Sequence, residues 1–235
     1  MKTVLYLMMG GSGTRLGANI PKQFIEISGK PIYEHIIDLY SRSGLINLLV
    51  IVCKEEWINT VKKHLENYEA NFHINVISGG KSRSESIKNA VIYTKENLKI
   101  EDADRILIHD TTHPYLDCNN TKLLIEKLDQ GFNAATLVTH VWDTVYTCED
   151  NRVCETLKRE NIGVGASPEG FKWKFLSDIY LNSNQEIARF TSAVDLAQSQ
   201  CIEIGIIWSS LINLKITYPD DLSVFEIATK YFLKN

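Results

Sequence analysis

Long apolar runs are missing from this sequence. None of its stretches approaches the roughly 18 residues that a membrane-spanning helix requires. The chain also lacks a charged-then-apolar opening of the kind that marks a secretory signal, because Val4-Leu5-Tyr6-Leu7-Met8 reads as a short buried strand. Positive charge is not in excess: 25 Lys and Arg stand against 29 Asp and Glu, a net charge of −4. General nucleic-acid binding rests on a basic surface and is disfavoured on this ground, although one local basic pocket is not. No Cys-x-x-Cys pair occurs, and the five cysteines (Cys53, Cys118, Cys148, Cys154, Cys201) are an odd number. Reduced thiols and a cytoplasmic location are expected. No repeat, linker or composition shift divides the 235 residues, so one domain over 1–235 is expected.

What the sequence does have is a glycine-rich loop directly after the first strand. Leu7 to Phe24 contains Gly10, Gly11 and Gly13, then Arg15, then Pro21-Lys22-Gln23-Phe24. Glycines let the backbone turn sharply and bring several N–H groups to one anion. Arg15 and Lys22 add two cations, and Pro21 stiffens the approach to Lys22. Together they predict a triphosphate site. The dinucleotide fingerprint fails, because Leu16 stands where its third glycine belongs. Walker A fails as well: Gly80-Lys81-Ser82 has its ending, but Asn75 occupies the first glycine position.

Along the rest of the chain, strands alternate with helices. Pro31 is placed to open a helix with Tyr33, Ile36, Ile37 and Tyr40 on its apolar face, and Gly44 to stop it. Ile46 to Cys53 reads as a parallel strand buried on both faces. Trp57, Val61, Leu65 and Tyr68 recur at helical spacing, and Ile74 to Ile77 forms a third strand. Gly79-Gly80 then precedes a Ser-rich helix start, where Ser82 or Ser84 caps and Glu85 completes a capping box with Ser82. Arg105 to His109 is a strand ending in Asp110, followed by the polar loop Thr111-Thr112-His113-Pro114. A carboxylate at that position lies where open α/β sheets bind ligands, and beside phosphates it suits Mg²⁺. His109 and His113 lack the further His or Cys partners that a transition-metal site needs.

Thr121 to Gln130 reads as a helix and Ala134 to Thr139 as a strand. A long hairpin follows, with Val141 to Cys148 leading to the turn Glu149-Asp150-Asn151 and Arg152 to Arg159 returning. Both its faces carry apolar residues, including Trp142 and Tyr146. An isolated ribbon of two strands is marginal in water, so the arm 140–160 is expected to pack on a second subunit. Phe171 to Tyr180 reads as a helix, Ile202 to Trp208 and Leu214 to Thr217 as strands, and Pro219 opens the last helix. The fold expected is α/β, a doubly wound and mostly parallel twisted sheet of Rossmann-like type.

With these residues in place, the chain resembles the cytidylyltransferases that include methylerythritol phosphate cytidylyltransferase and ribitol-5-phosphate cytidylyltransferase. The most specific match is Gly10-Gly11-Ser12-Gly13-Thr14-Arg15 with Pro21-Lys22-Gln23-Phe24. Lys54-Glu55-Glu56-Trp57, Gly79-Gly80 with Arg83, His109-Asp110 with Pro114, Asp143-Thr144, and Asn213 to Thr217 with Pro219 and Asp221 follow in order, over almost the whole length.

The resemblance implies an Mg²⁺-dependent homodimer that joins CTP to a polyol phosphate, giving a CDP-alditol and pyrophosphate for cell-wall or capsule precursors. It implies that Arg15 and Lys22 stabilise the α-phosphate during transfer. Met9, Gly10, Gly11, Gly13, Gly80, Arg83, Ser86 and Thr111 would hold the nucleotide, and Asp110 the metal. Arg159 of the partner's hairpin, Thr191 and Lys215 would hold the acceptor's phosphate. There are departures: Met9 stands in place of a small alanine, His113 in place of an arginine, Ser167-Pro168-Glu169 in place of Thr-Pro-Gln, and Ser192 in place of an aspartate. Gly13-Thr14-Arg15 and Lys54 to Trp57 look closer to the ribitol phosphate enzymes, which makes an alditol such as ribitol 5-phosphate the first expectation for the acceptor. Methylerythritol phosphate is the alternative. A sugar-1-phosphate nucleotidyltransferase usually lacks the Pro-Lys-Gln-Phe segment and the hairpin. A scaffold without activity would have no need to keep Arg15, Lys22, Asp110 and Lys215.

Overall fold

The computed structural model describes residues 1–10, 21–182, 186–209, 213 and 215–231. Strand β1 (Thr3–Met9) is followed by a 3₁₀ turn at Lys22–Phe24 and a small ribbon, β2 (Glu26–Ile27) and β3 (Lys30–Pro31). Helix α1 (Ile32–Ser43) starts directly after Pro31 and ends at Gly44, whose φ of +64° is the left-handed stop that glycine supplies. Then come β4 (Leu48–Cys53), α2 (Ile58–His64), β5 (His73–Ser78), α3 (Arg83–Asn97), β6 (Arg105–Asp110), α4 (Cys118–Asp129) and β7 (Ala134–His140). The arm is β8 (Val145–Glu149) and β9 (Arg152–Leu157), joined by Asp150 and Asn151, both at positive φ. The chain finishes with β10 (Gly163–Lys172), α5 (Trp173–Leu181), α6 (Ala193–Gln198), β11 (Ile204–Ser209) and α7 (Pro219–Tyr231).

Seven strands form one sheet in the order β11-β7-β10-β6-β1-β4-β5. All neighbours in it run parallel except β10, which is antiparallel to both β6 and β7. The alternation of each strand sorts its side chains onto two faces. Val4, Tyr6 and Met8 of β1 join Val50, Ile106, Ile108 and Phe171 beneath α3 and α5. Leu5, Leu7 and Met9 join Leu49, Ile51 and Leu107 on the opposite face, beneath α1 and α4. The expected α/β sheet, parallel for the most part and covered on both faces, is the one observed.

Three expectations are corrected. β10 was not foreseen, and Phe171 and Lys172 end this strand rather than begin α5. Gly163, Gly165 and Pro168 interrupt its pattern, and its pairing with β7 shifts between Ala166 and Glu169, so no clean alternation marks it. Residues 215–217 form no strand. Ile216 donates one backbone hydrogen bond to the Thr112 carbonyl (2.7 Å), which ties it to the loop after β6 without a ladder. The arm's paired strands are also shorter than expected, and Arg159 lies beyond them in a 3₁₀ turn.

The two faces of β6 set up the site. His109 points to the α1 face and is fully buried, with Nδ1 2.9 Å from the Tyr40 hydroxyl and Nε2 2.7 Å from the His113 carbonyl. The carbonyl can only accept, so Nε2 carries the proton and Nδ1 accepts from Tyr40. Burial pushes His109 down to about 4, which keeps the ring neutral in this core. These bonds occupy both ring nitrogens of His109. Tyr40→Phe leaves Nδ1 of a buried ring without its donor. It is expected to cost about 1–3 kcal/mol in urea unfolding, read as a lower midpoint at unchanged slope.

Candidate active site

The site lies at the carboxyl ends of β1, β5 and β6, where the strand order leaves β1 in opposite directions, the usual place for ligands in such sheets. A cavity there is lined by Met8, Gly10, Lys22, Gly80, Arg83, Asp110 and Thr111, among others. Gly11, Gly13 and Arg15 lie outside the described residues. Lys22 is delivered by its neighbours. Gln23 is buried and donates from Nε2 to the Met9 carbonyl (2.8 Å), and Phe24 packs on Tyr33 and Trp57. Between these anchors, Lys22 reaches the cavity and its Nζ donates to the Ile216 carbonyl at 3.0 Å.

The second glycine pair has a steric role. A Cβ on Gly80 would stand 2.4 Å from the Glu85 Cβ, so only glycine lets the loop close against the start of α3. Ser86 Oγ accepts from the Gly80 N–H (2.9 Å) and donates to the Ser82 carbonyl (2.8 Å). Ser82 caps α3 through the Glu85 N–H, as expected. The reciprocal Glu85 bond goes to the Lys81 N–H instead, at 2.7 Å, one residue earlier than in the usual capping box. The expected nucleotide-binding residue Ser86 therefore spends its hydroxyl on shaping this loop, and Thr111 donates its own to the Met8 carbonyl at 3.0 Å.

Arg83 opens α3 and faces the sheet. Its Nε donates to Asp110 Oδ1 at 2.9 Å, and its Nη2 to Glu169 Oε2 at 3.2 Å. Asp110 faces this side because it shares the parity of Ile106 and Ile108 in β6, while His109 takes the other face. Burial opposes the charge on Arg83, but Glu169 and Asp110 outweigh it and keep the guanidinium protonated. Burial alone would raise the Asp110 carboxyl; Arg83 beside it holds it below the usual carboxylate range. Burial likewise holds His113 below the usual imidazole value, with Lys215 acting in the same direction.

One expected residue is corrected. Met9 is fully buried on the α1 face, so its side chain points away from the cavity, and Met8 lines the cavity in its place. The alternation of β1 with Tyr6 and Val4 was the signal that identifies Met8. Glu169 appeared in the sequence only as a departure from a pattern, and its partnership with Arg83 spans 86 residues.

A second cavity adjoins the first and shares Arg83, Asp110 and Lys215 with it. Ser167, Glu169, His113, Thr191 and Ser192 complete its wall. Lys215 is exposed, and its ammonium makes no hydrogen bond or ion pair among the described residues. The Thr191 hydroxyl donates to Asp195 at 3.1 Å, ahead of α6. Arg159 lines neither cavity of its own chain; its side chain is half exposed and its Nη1 donates to the Trp142 carbonyl at 2.6 Å.

Among the described residues no group of three or more His, Cys, Asp or Glu could hold a metal by itself. The donor set instead fits a hard cation carried by phosphates. Asp110 Oδ1 is held by Arg83, while Oδ2 has no hydrogen-bond partner among the described residues. Mg²⁺ commonly takes one or two carboxylates together with substrate phosphates, and Asp110 is the residue that would hold it.

Arg83→Met leaves two carboxylates facing each other without the cation between them. The Asp110 carboxyl then binds its proton at higher pH than in the wild type. The acid limb of the kcat/KM profile is expected to move to higher pH, so the variant loses activity at mildly acidic pH, where the wild type retains it.

Comparison with known proteins gives the family. The model of the family described as IspD, 2-C-methyl-D-erythritol 4-phosphate cytidylyltransferase, matches residues 4–230. A 2-C-methyl-D-erythritol 4-phosphate cytidylyltransferase of Thermotoga neapolitana is 27% identical over 227 residues, covering 97% of this chain and 96% of that protein. A ribitol-5-phosphate cytidylyltransferase of Lactiplantibacillus plantarum is 26% identical, covering 93% and 94%. Among solved structures, the 2-C-methyl-D-erythritol 4-phosphate cytidylyltransferase of Francisella tularensis has a TM-score of 0.80 at 23% identity, covering 97% of this chain and 99% of that one. The 4-diphosphocytidyl-2C-methyl-D-erythritol synthase of Anaerococcus prevotii has a TM-score of 0.79 at 20% identity, covering 97% and 98%. These two show the same fold. With the family model spanning nearly the whole chain and a cavity at the ends of its central strands, the protein belongs to the IspD family of cytidylyltransferases and is a nucleotidyltransferase.

Proposed function

We propose that the enzyme transfers a cytidylyl group from CTP to the phosphate of a phosphorylated sugar alcohol, releasing pyrophosphate. The observation that carries this reading is the pair of adjoining cavities that share Arg83, Asp110 and Lys215. One is lined by Gly10 and Gly80 and suits the triphosphate. The other suits a smaller anion with a polar tail. An oxygen of the acceptor phosphate attacks the α-phosphorus of CTP in line, and the bond to the β-phosphate oxygen breaks. No protein nucleophile takes part, so the chain contributes position and charge.

Lys22 lines the first cavity, and together with Arg15, whose role rests on the sequence pattern, it would supply positive charge where the α-phosphate becomes five-coordinate. Lys215 holds the two phosphates together at the junction. A bound Mg²⁺ would neutralise charge on the triphosphate oxygens. Asp110 is kept ionised and oriented for it by Arg83.

2-C-Methyl-D-erythritol 4-phosphate is the first acceptor to test. The family model and two relatives, from Thermotoga neapolitana and Thermosipho africanus, carry that name, which favours it over the ribitol-type acceptor expected from the sequence. Ribitol 5-phosphate is the second, on the likeness to the Lactiplantibacillus plantarum enzyme. A pyrophosphate-release assay with CTP against both phosphates tests the reading, with UTP and dTTP as controls. Release is expected with CTP and one of the two acceptors, and no release with either would overturn it. In the same assay Lys22→Ala and Arg15→Ala should each lower kcat by about 10²–10³, with a smaller change in the KM for CTP.

The acceptor site is proposed to be completed by a second copy of the chain. The arm exposes Tyr146 and Val153, and Trp142 at its root is 63% exposed, so the ribbon has apolar surface to bury. Arg159, directed away from its own cavities, has the fork that binds a phosphate. Inactive Arg159→Ala and Lys22→Ala chains, mixed and allowed to exchange subunits, are expected to regain activity through one intact shared site. Exchange without recovery would count against this arrangement.

A further inference from the structure

The second cavity carries charges of both signs. At the junction stand Lys215, Arg83 and Asp110, and Glu169 on β10 stands beside the guanidinium, with its Oε2 3.2 Å from Nη2. Glu169 is 7% exposed, and only Oε2 is taken up, by Arg83 Nη2. Oε1 has no hydrogen-bond partner among the described residues, and the residue lines the cavity. A carboxylate oxygen can only accept a hydrogen bond. The bond to Arg83 fixes the direction of this one, so the open oxygen is presented to whatever fills the cavity.

His113 adds a second acceptor to the same wall. Asn213 Nδ2 donates to the Ser167 carbonyl at 2.7 Å, which turns Asn213 Oδ1 toward His113. Nδ1 of His113 therefore carries the proton of that 3.1 Å bond, and in the neutral ring Nε2 is left as an acceptor. Two acceptors that line one cavity call for hydroxyl donors, and the Glu169 carboxylate repels a second anion.

Resting on the reading of this cavity as the acceptor site, we infer that Glu169 is a specificity-determining residue. It accepts a hydrogen bond from a hydroxyl of the acceptor's polyol tail, turns the acceptor's phosphate toward Lys215, and excludes acceptors whose tail carries a carboxylate. The substrate class is thus a monophosphate with an uncharged polyhydroxy tail. The matching aldonic acid phosphate, which differs by one terminal oxidation, is excluded by charge.

The test pairs each polyol phosphate with its acid: ribitol 5-phosphate with ribonate 5-phosphate, and erythritol 4-phosphate with erythronate 4-phosphate. Equilibrium binding to the protein and turnover with CTP are both measured. Wild-type enzyme is expected to favour the polyol over the acid by about 10²-fold or more, as like charges set together in a closed site require. In Glu169→Gln, the amide oxygen takes the place of the carboxylate oxygen bonded to Arg83, and the amide N–H₂ faces the cavity. The ratio is then expected to fall at least about tenfold through improved handling of the acid, while the KM for CTP changes much less. A purely structural role would lower both acceptors together and leave the ratio where it was. Equal binding of polyol and acid by the wild type, or an unchanged ratio in Glu169→Gln, would overturn the inference. The wild-type ratio alone decides it if the variant does not fold. Absence of turnover with every polyol phosphate would count against the proposed reaction instead, and the binding ratio would still judge Glu169.

Discussion

Arg83 between Asp110 and Glu169 is the contact on which the site depends. Its three members come from the start of α3, the end of β6 and the middle of β10, segments far apart in the chain. Two carboxylates this near a common point repel each other, and the guanidinium turns that repulsion into a fixed geometry. Its fork has a separate N–H for each acid, so neither carboxylate is free to turn. A lysine would supply the charge without the two directions. The sequence resemblance implies nucleotide binding for Arg83. In the structure its hydrogen bonds go to the protein, and its contribution is to aim the groups around it.

Much of this was legible in the sequence, for identifiable reasons. The glycine loop, the Pro-Lys-Gln-Phe stretch and Asp110 at a strand end are local patterns, each complete within a few residues. So is the stop at Gly44, and so is the cap at Ser82. What was not legible depends on pairing across the fold. β10 looks like a loop because glycines and a proline break its alternation, and it becomes a strand by lying between β6 and β7. Leu214 to Thr217 look like a strand because Leu214 and Ile216 alternate with Lys215 and Thr217, yet residues 215–217 find one backbone partner and no ladder. The choice between Met8 and Met9 was open until the parity of β1 was fixed by its neighbours.

Behind the ion triad runs a chain of buried hydrogen bonds. Tyr40 on α1 donates to His109; His109 donates to the His113 carbonyl; His113 donates to Asn213; and Asn213 donates to Ser167 on β10. Ser167 Oγ in turn accepts from the Asp110 N–H at 3.2 Å. The chain passes from one face of the sheet to the other and returns to β6. Each polar group in it is satisfied by the next, which is the condition for polar groups to stay buried. It gives the loop after β6 a definite shape without a metal, disulfide or regular element.

The arm is bracketed by the sheet. His140 pairs with Gly163 at its root, and below that rung β7 and β10 stay paired, across the shift between Ala166 and Glu169, down to Ala134 and Phe171. Glu169 takes its place from partners on both sides, Thr136 and Ile108. The 22 residues between the two root positions therefore hang outside the register that builds the pocket. In lineages that share this architecture, a change in the rungs reaches Glu169 directly, whereas a change at the tip of the arm, around Asp150 and Asn151, touches none of its strand partners.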